Sequence, residues 1–252
     1  MTVIAKVSRR LIGIALLIVV SLALISIALA LPEGASTTTI LSSERKGTQV
    51  AVNLTAQGGN ITRINISVNV QTAVWQGFAG NISGSIVLDD SSGDRFYAWS
   101  LFNISGEIYA SRNGTLNFNS VFPHNNCTID EPLTGAGSDR VNRTYNQSAN
   151  TQNFSVGLIQ INASSACATR PYVNSTFPSG NLFENIILSP EHNNATPQQG
   201  NFVSGGNQSV YVGILQLSNV HGFDGQMYNF QVLVPVNRTT GFNTYFFYAE
   251  LN

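Results

Sequence analysis

Charge is what this sequence has least of. Asp, Glu, Lys and Arg make up 10% of its 252 residues, against about 25% in an average soluble domain, and the only lysines are Lys6 and Lys46. A formal net charge of −1 leaves no basic face for nucleic acid and no acidic face for a cationic partner, so nucleic-acid binding is set aside. Few carboxylates also means little change of charge on acidification, since acid denaturation works mainly by protonating paired Asp and Glu. A protein of this composition is expected to tolerate an acidic exterior.

Catalytic signatures are missing as well. No G-x-S-x-G elbow presents a serine nucleophile. His124, His192 and His221 are scattered, each beside a turn former, without metal-ligand spacing, and read as exposed loop residues. The 13 acids fall mostly in turns and offer no obvious facing pair for glycoside hydrolysis. Asp89, Asp90 and Asp94 crowd one turn and form a weak Ca²⁺ candidate, but their spacing fits no EF-hand loop. The expectation is a protein that is not an enzyme and takes no cofactor, with a secreted hydrolase as the weakest alternative. Cysteine is nearly absent too. Cys127 and Cys167 form neither a C-x-x-C redox motif nor a zinc site, and an even pair in an exported chain is expected to close a disulfide.

What the chain has in abundance is asparagine, with 28 residues. Fifteen of them begin Asn-x-Ser/Thr triplets: Asn53, Asn60, Asn65, Asn81, Asn103, Asn113, Asn126, Asn142, Asn146, Asn153, Asn162, Asn174, Asn194, Asn207 and Asn237. Composition alone would give about five. Every triplet lies downstream of a single apolar run, Leu11–Leu31, which has no charge and would span about 32 Å as a helix, enough to cross a bilayer. Lys6, Arg9 and Arg10 precede it, which places residues 1–10 in the cytoplasm and everything beyond Pro32 outside. N-linked glycans then supply the hydration that charges normally give.

Two other fates of the run remain open. Ala28-Leu29-Ala30 is a small-x-small site of the kind a signal peptidase cuts, although the apolar stretch is long for a signal peptide. A pilin-type leader would put the helix in a filament core, but the order Ser8-Arg9-Arg10-Leu11 lacks the expected basic-small pair. The favoured reading is a retained signal anchor at the cell surface, with secretion if the run is cleaved.

Residues 32–48 are small and polar and read as a stalk. From residue 49 to 252 the pattern becomes one of short strands. Ile64, Ile66, Val68 and Val70 alternate with polar residues. Asn81–Leu88 and Arg95–Leu101 flank a turn at Asp90–Asp94, and Glu107–Arg112 and Thr115–Phe122 flank Asn113-Gly114, a strong hairpin signal. Further strands are expected at Phe154–Asn162, Leu182–Leu188, Ser209–Leu217, Tyr228–Val236 and Thr244–Leu251. No apolar stripe of helical period follows Leu31. The expected fold is all-β, a sandwich of Ig-like or jelly-roll-like type, with a possible subdomain boundary near 123–152. Most aromatic residues alternate with polar ones and should be core. Trp75 and Phe78, in the glycine-containing WQGFAG segment, are the candidates for rings left outside to bind sugars or partners.

Three stretches, residues 74–113, residues 183–189 with 222–236, and residues 245–252, carry Trp-x-Gly-Phe and Gly-Phe-Asp-Gly signatures. Together they resemble a family of exported archaeal cell-surface proteins with an N-terminal apolar anchor, a mostly β ectodomain and a cysteine pair. The resemblance implies an archaeal cell surface and transfers no catalytic residue. The function expected is that of a glycosylated structural or adhesive surface protein that associates with itself, the S-layer or other surface proteins, with the stalk or Thr244–Leu251 as candidate donated strands. A carbohydrate-binding or receptor module and a pilin-like filament subunit are the alternatives.

Overall fold

The computed structural model describes residues 31–47, 50–51, 53–68, 72–99, 105–124, 141–146, 153–162, 166–170, 183–189, 209–217, 220–236 and 242–251. Leu31–Asn252 forms one compact unit. Apart from Leu31, the expected membrane segment lies outside the described residues, as do most of 123–152 and 189–208.

The chain is all-β. Its strands are β1 (Glu33–Gly34), β2 (Trp75–Gly80), β3 (Ile86–Asp89), β4 (Arg95–Trp99), β5 (Gly106–Ser111), β6 (Phe122–Pro123), β7 (Phe154–Val156) and β8 (Ile159–Ile161). There follow β9 (Ala168–Thr169), β10 (Asn185–Ser189), β11 (Val210–Ile214), β12 (Val220–His221), β13 (Met227–Tyr228), β14 (Phe230–Pro235) and β15 (Phe246–Leu251). Helix is confined, among the described residues, to one turn at Val141–Thr144 and a 3₁₀ turn at Phe118–Ser120.

A seven-stranded sheet in the order β1-β15-β5-β11-β10-β6, with β9 also on β10, organises the rest. Its pairs are antiparallel. The central strands β5, β10 and β11 are buried at every residue, so both faces of the sheet are covered, which explains why Asn185–Ser189 and Val210–Ile214 read as continuous apolar runs rather than as alternations. On one face Tyr109, Ile186, Leu188, Val210 and Val212 meet Phe118, Val121 and the β7–β8 hairpin through Phe154, Val156 and Ile161. On the other, Ala110, Ile187 and Tyr211 meet Val232 and Val234 of the β14–β2 ribbon.

Several expectations are corrected. The Ile64–Val68 part of the expected alternation joins no described sheet, and Ile64, Ile66 and Val68 stay exposed, while Val70 lies outside the described residues. Period two decides which face is apolar but does not supply a partner. Asn113-Gly114 does not close a hairpin between Glu107–Arg112 and Thr115–Phe122. The Asn113 Oδ1 accepts from Thr115 N–H, the chain turns over the sheet, and Asn117 caps the 3₁₀ turn that buries Phe118 against Tyr109. Both sides of β5 are taken by β11 and β15 instead. Phe154–Asn162 is a hairpin rather than one strand, because Gly157 reverses the chain at φ 56°. The Thr244–Leu251 segment is no open edge, since Glu33–Gly34, expected as stalk, pairs with its outer side.

Candidate functional site

Among the described strands, the β3–β4 hairpin is open to a partner. It pairs only with itself among the described residues. Asp90 sets its turn: its Oδ1 accepts from Ser92 N–H and Asp94 N–H, and Gly93 supplies the positive φ of 86°. The register runs Ile86 opposite Trp99, Val87 opposite Ala98 and Leu88 opposite Tyr97, then slips so that Asp89 faces Arg95. Phe96 is therefore the extra residue of a β-bulge, and its ring is 85% exposed. The register aligns Ile86, Leu88, Tyr97 and Trp99 on one face, all exposed, with the Tyr97 and Trp99 rings edge to face at 4.8 Å.

This placement reverses the expectation for the rings. Trp75 and Phe78 are half-buried and pack against the second core cluster, Trp75 with its ring centroid 5.8 Å from that of Tyr145 and Phe78 5.1 Å from Phe247. β2 is zipped to β14, which turns those side chains toward the sheet. The acids of the Asp89–Asp94 turn, the weak calcium candidate, are placed as follows. Asp89 Oδ1 lies 3.1 Å from Arg95 Nε, Asp90 is occupied by the turn, and no group of three or more His, Cys, Asp or Glu gathers as a metal site among the described residues.

Close to the hairpin in sequence, residues 53–68 form a solvent-exposed arm. Its Ile61, Ile64, Ile66 and Val68 are all exposed. Of the sequon asparagines, Asn53, Asn60, Asn65, Asn81, Asn146, Asn153 and Asn162 are exposed, and Asn113 is half-buried. The side chains of Asn103, Asn126, Asn142, Asn174, Asn194, Asn207 and Asn237 lie outside the described residues.

The histidines differ from their expectation. His124 is fully buried, with Nδ1 3.3 Å from Ser189 Oγ. His221 Nδ1 donates to the Gly225 carbonyl at 2.9 Å, and His192 lies outside the described residues. Cys167 is buried and is not a free thiol. Cys127, its expected partner, lies outside the described residues.

An acid pair that the sequence did not advertise sits beneath the β7–β8 turn. Glu107 of β5 stands directly opposite Glu250 of β15, and both are buried. Tyr109 Oη donates to Glu250 Oε2 at 3.0 Å and lies 3.5 Å from Glu107 Oε2, while the Gly157 N–H reaches Glu250 Oε1 at 3.4 Å. Burial first, and the neighbouring Glu250 charge second, push the Glu107 carboxyl up to about 8, against the Tyr109 hydrogen bond. Burial raises Glu250 as well, opposed by Tyr109 and Gly157. The pair holds a proton well into neutral pH. Covered on both sides, it presents neither carboxylate to a substrate.

No family model, no curated protein and no solved structure matches this chain.

Proposed function

We propose that the chain is a glycosylated structural or adhesive protein of the archaeal cell surface, anchored by Leu11–Leu31, whose β-sandwich ectodomain associates with further copies by lending a strand. The observation that carries this reading is the exposed arm at residues 53–68, where Ile64, Ile66 and Val68 form a ready-made apolar strand face with no strand beside it among the described residues. A β-prone segment in this state is the unit used in strand addition. The sequons, the scarcity of charge and the resemblance to archaeal surface proteins support the location. The layering of the β14–β2 ribbon on the large sheet supports a sandwich, and the oxidised Cys167 supports a bond to Cys127. No residue is assigned a catalytic role.

Native membranes test it directly. Glycoproteomics should find sugar on the exposed sequons and an intact N-terminal run, and negative-stain images should show filaments or lattices. Unmodified protein recovered from cytosol overturns the location, and dispersed single copies overturn the assembly. A recognition module is the second reading, favoured by the exposed Phe96, Tyr97 and Trp99 rings; monomers retained on a glycan array select it.

A further inference from the structure

The arm and the hairpin are incomplete in complementary ways. A two-stranded sheet is marginal in water, and a third strand over an apolar face is what makes such a unit stable. The β3–β4 hairpin has two strands and an exposed apolar face of Ile86, Leu88, Tyr97 and Trp99. The arm has a strand pattern, an exposed apolar face and no sheet. Among the described residues, no strand pairs with the arm or with the outer edges of the hairpin.

We infer that the free edge of β3 accepts the Ile61–Val68 segment of a second copy of this chain, antiparallel, with Ile64 opposite Leu88 and Ile66 opposite Ile86. This inference rests on the self-association proposed above and names the surface that accomplishes it.

Three features select this arrangement. The edge is that of β3 because the Phe96 bulge interrupts the regular spacing of β4 and an interrupted edge takes a new strand poorly. The register follows from parity: pairing Ile64 with Leu88 and Ile66 with Ile86 continues the apolar face onto the donated strand, whereas a slip by one residue would turn both isoleucines to the wrong side. The direction follows from charge. Arg63 is the only charged residue between Lys46 and Asp89, and the hairpin tip holds Asp89, Asp90 and Asp94 against Arg95 alone. Antiparallel pairing in this register sets Arg63 opposite Asp89, at the acidic tip. Parallel pairing would carry it to the Ile86 end, which has no acid. The same register sends Asn65 to the face opposite the isoleucines, beside Val87, so a glycan there stays out of the joint.

The test uses the full chain in detergent. Two variants, Arg63→Cys and Asp89→Cys, carry different tags and are mixed and oxidised. The expected product is a covalent dimer bearing both tags, in about tenfold excess over the product from a Glu44→Cys and Asp89→Cys mixture. In parallel, Ile66→Asp should weaken association in sedimentation velocity by at least about tenfold, because a charge cannot enter the apolar joint. It should leave the melting temperature unchanged, since Ile66 is 77% exposed in the single chain. Copies that associate without forming the two-tag product, or that associate normally as Ile66→Asp, overturn this joint and leave self-association standing. A cross-link found only within single chains of an Arg63→Cys/Asp89→Cys double variant overturns the second copy as the occupant. A wild-type chain that stays monomeric at every concentration overturns both the joint and the reading beneath it.

Discussion

The side chain of Asn185 serves as a rung of β-ladder for Leu233. Its Oδ1 accepts the Leu233 N–H at 2.9 Å, while its Nδ2 donates to the carbonyl of the neighbouring Gln231 at 2.6 Å. One amide on β10 thus satisfies two main-chain groups of β14 and ties the ribbon to the large sheet. Asn185 is fully buried, so no water replaces it. Asn185→Leu should cost about 2–4 kcal/mol by stranding both groups, read as a fall of about 5–15 °C in melting temperature. A change under 2 °C would mean that the ribbon is held by Val232 and Val234 alone.

Stability should fall as pH rises through neutrality. The folded chain keeps the Glu107 proton up to about pH 8, whereas the unfolded chain releases it near 4.5. The acid pair therefore costs nothing below pH 4.5, and each pH unit between 4.5 and 8 removes about 1.4 kcal/mol. Among the described residues, the other ionisable groups near the pair include Tyr109, Tyr248 and the Glu184–Arg170 ion pair, which is closed at 2.7 Å; β7 and β8 bring none. The melting temperature should drop by about 8–17 °C from pH 5 to pH 8, and Glu107→Gln should flatten that slope. An unchanged slope in the variant would place the titrating group elsewhere.

Gly106 should tolerate no side chain. Its φ of 129° is one that L residues rarely adopt, and a Cβ there would lie 1.9 Å from the Glu250 carbonyl oxygen. Gly106→Ala must push β15 away from β5 at the acid pair, for about 4 kcal/mol or more. Circular dichroism melts of the variant would detect this, and a loss below about 1 kcal/mol would show that the strand ends separate freely.

The rings of the β3–β4 hairpin should matter to association and not to folding. Trp99→Ser removes an edge-to-face contact with Tyr97 on a hairpin outside both core clusters. Global stability should change by no more than about 0.5 kcal/mol, while association in sedimentation velocity weakens. A large loss of stability would make the hairpin part of the core after all.

Peptide mapping without reductant should recover Cys127 linked to Cys167. A bond between them closes a loop of about 40 residues, which in the chain-entropy model contributes about 3–4 kcal/mol. Cys167→Ser should lower stability by a comparable amount. Cys127 and Cys167 recovered on two separate, unlinked peptides would show that they do not pair with each other.

Local pattern revealed where strands lie far better than how they pair. The apolar runs at Leu182–Leu188 and Ser209–Leu217 and the Asp90–Asp94 turn appear where their composition puts them. The hairpin expected at Asn113-Gly114 fails because β11 and β15, each about a hundred residues or more along the chain, bury more against β5 than Thr115–Phe122 would, and no local window contains that competition. The exposed rings were misplaced for a related reason: whether Trp75 or Trp99 faces solvent depends on the strand beneath it, and only β2 has β14 to hold it against the sheet. Glu107 and Glu250 carried a readable hint, since each stands inside a strand-like segment rather than a turn, yet only the pairing of β5 with β15 brings them together.

Tyr109 and Glu250 are 141 positions apart, and β5 must wait through nearly all of that length before the strand that flanks it has been made. During synthesis, therefore, Ile108 and Ala110 have an unfilled side, and the chain crosses its barrier to folding late and all at once. On the proposed reading, sugars added to the sequons of the arm and the early strands would meet a chain still open, so modification would precede the final shape, and a glycan coat would shield the waiting apolar strand from its neighbours until the last one arrives.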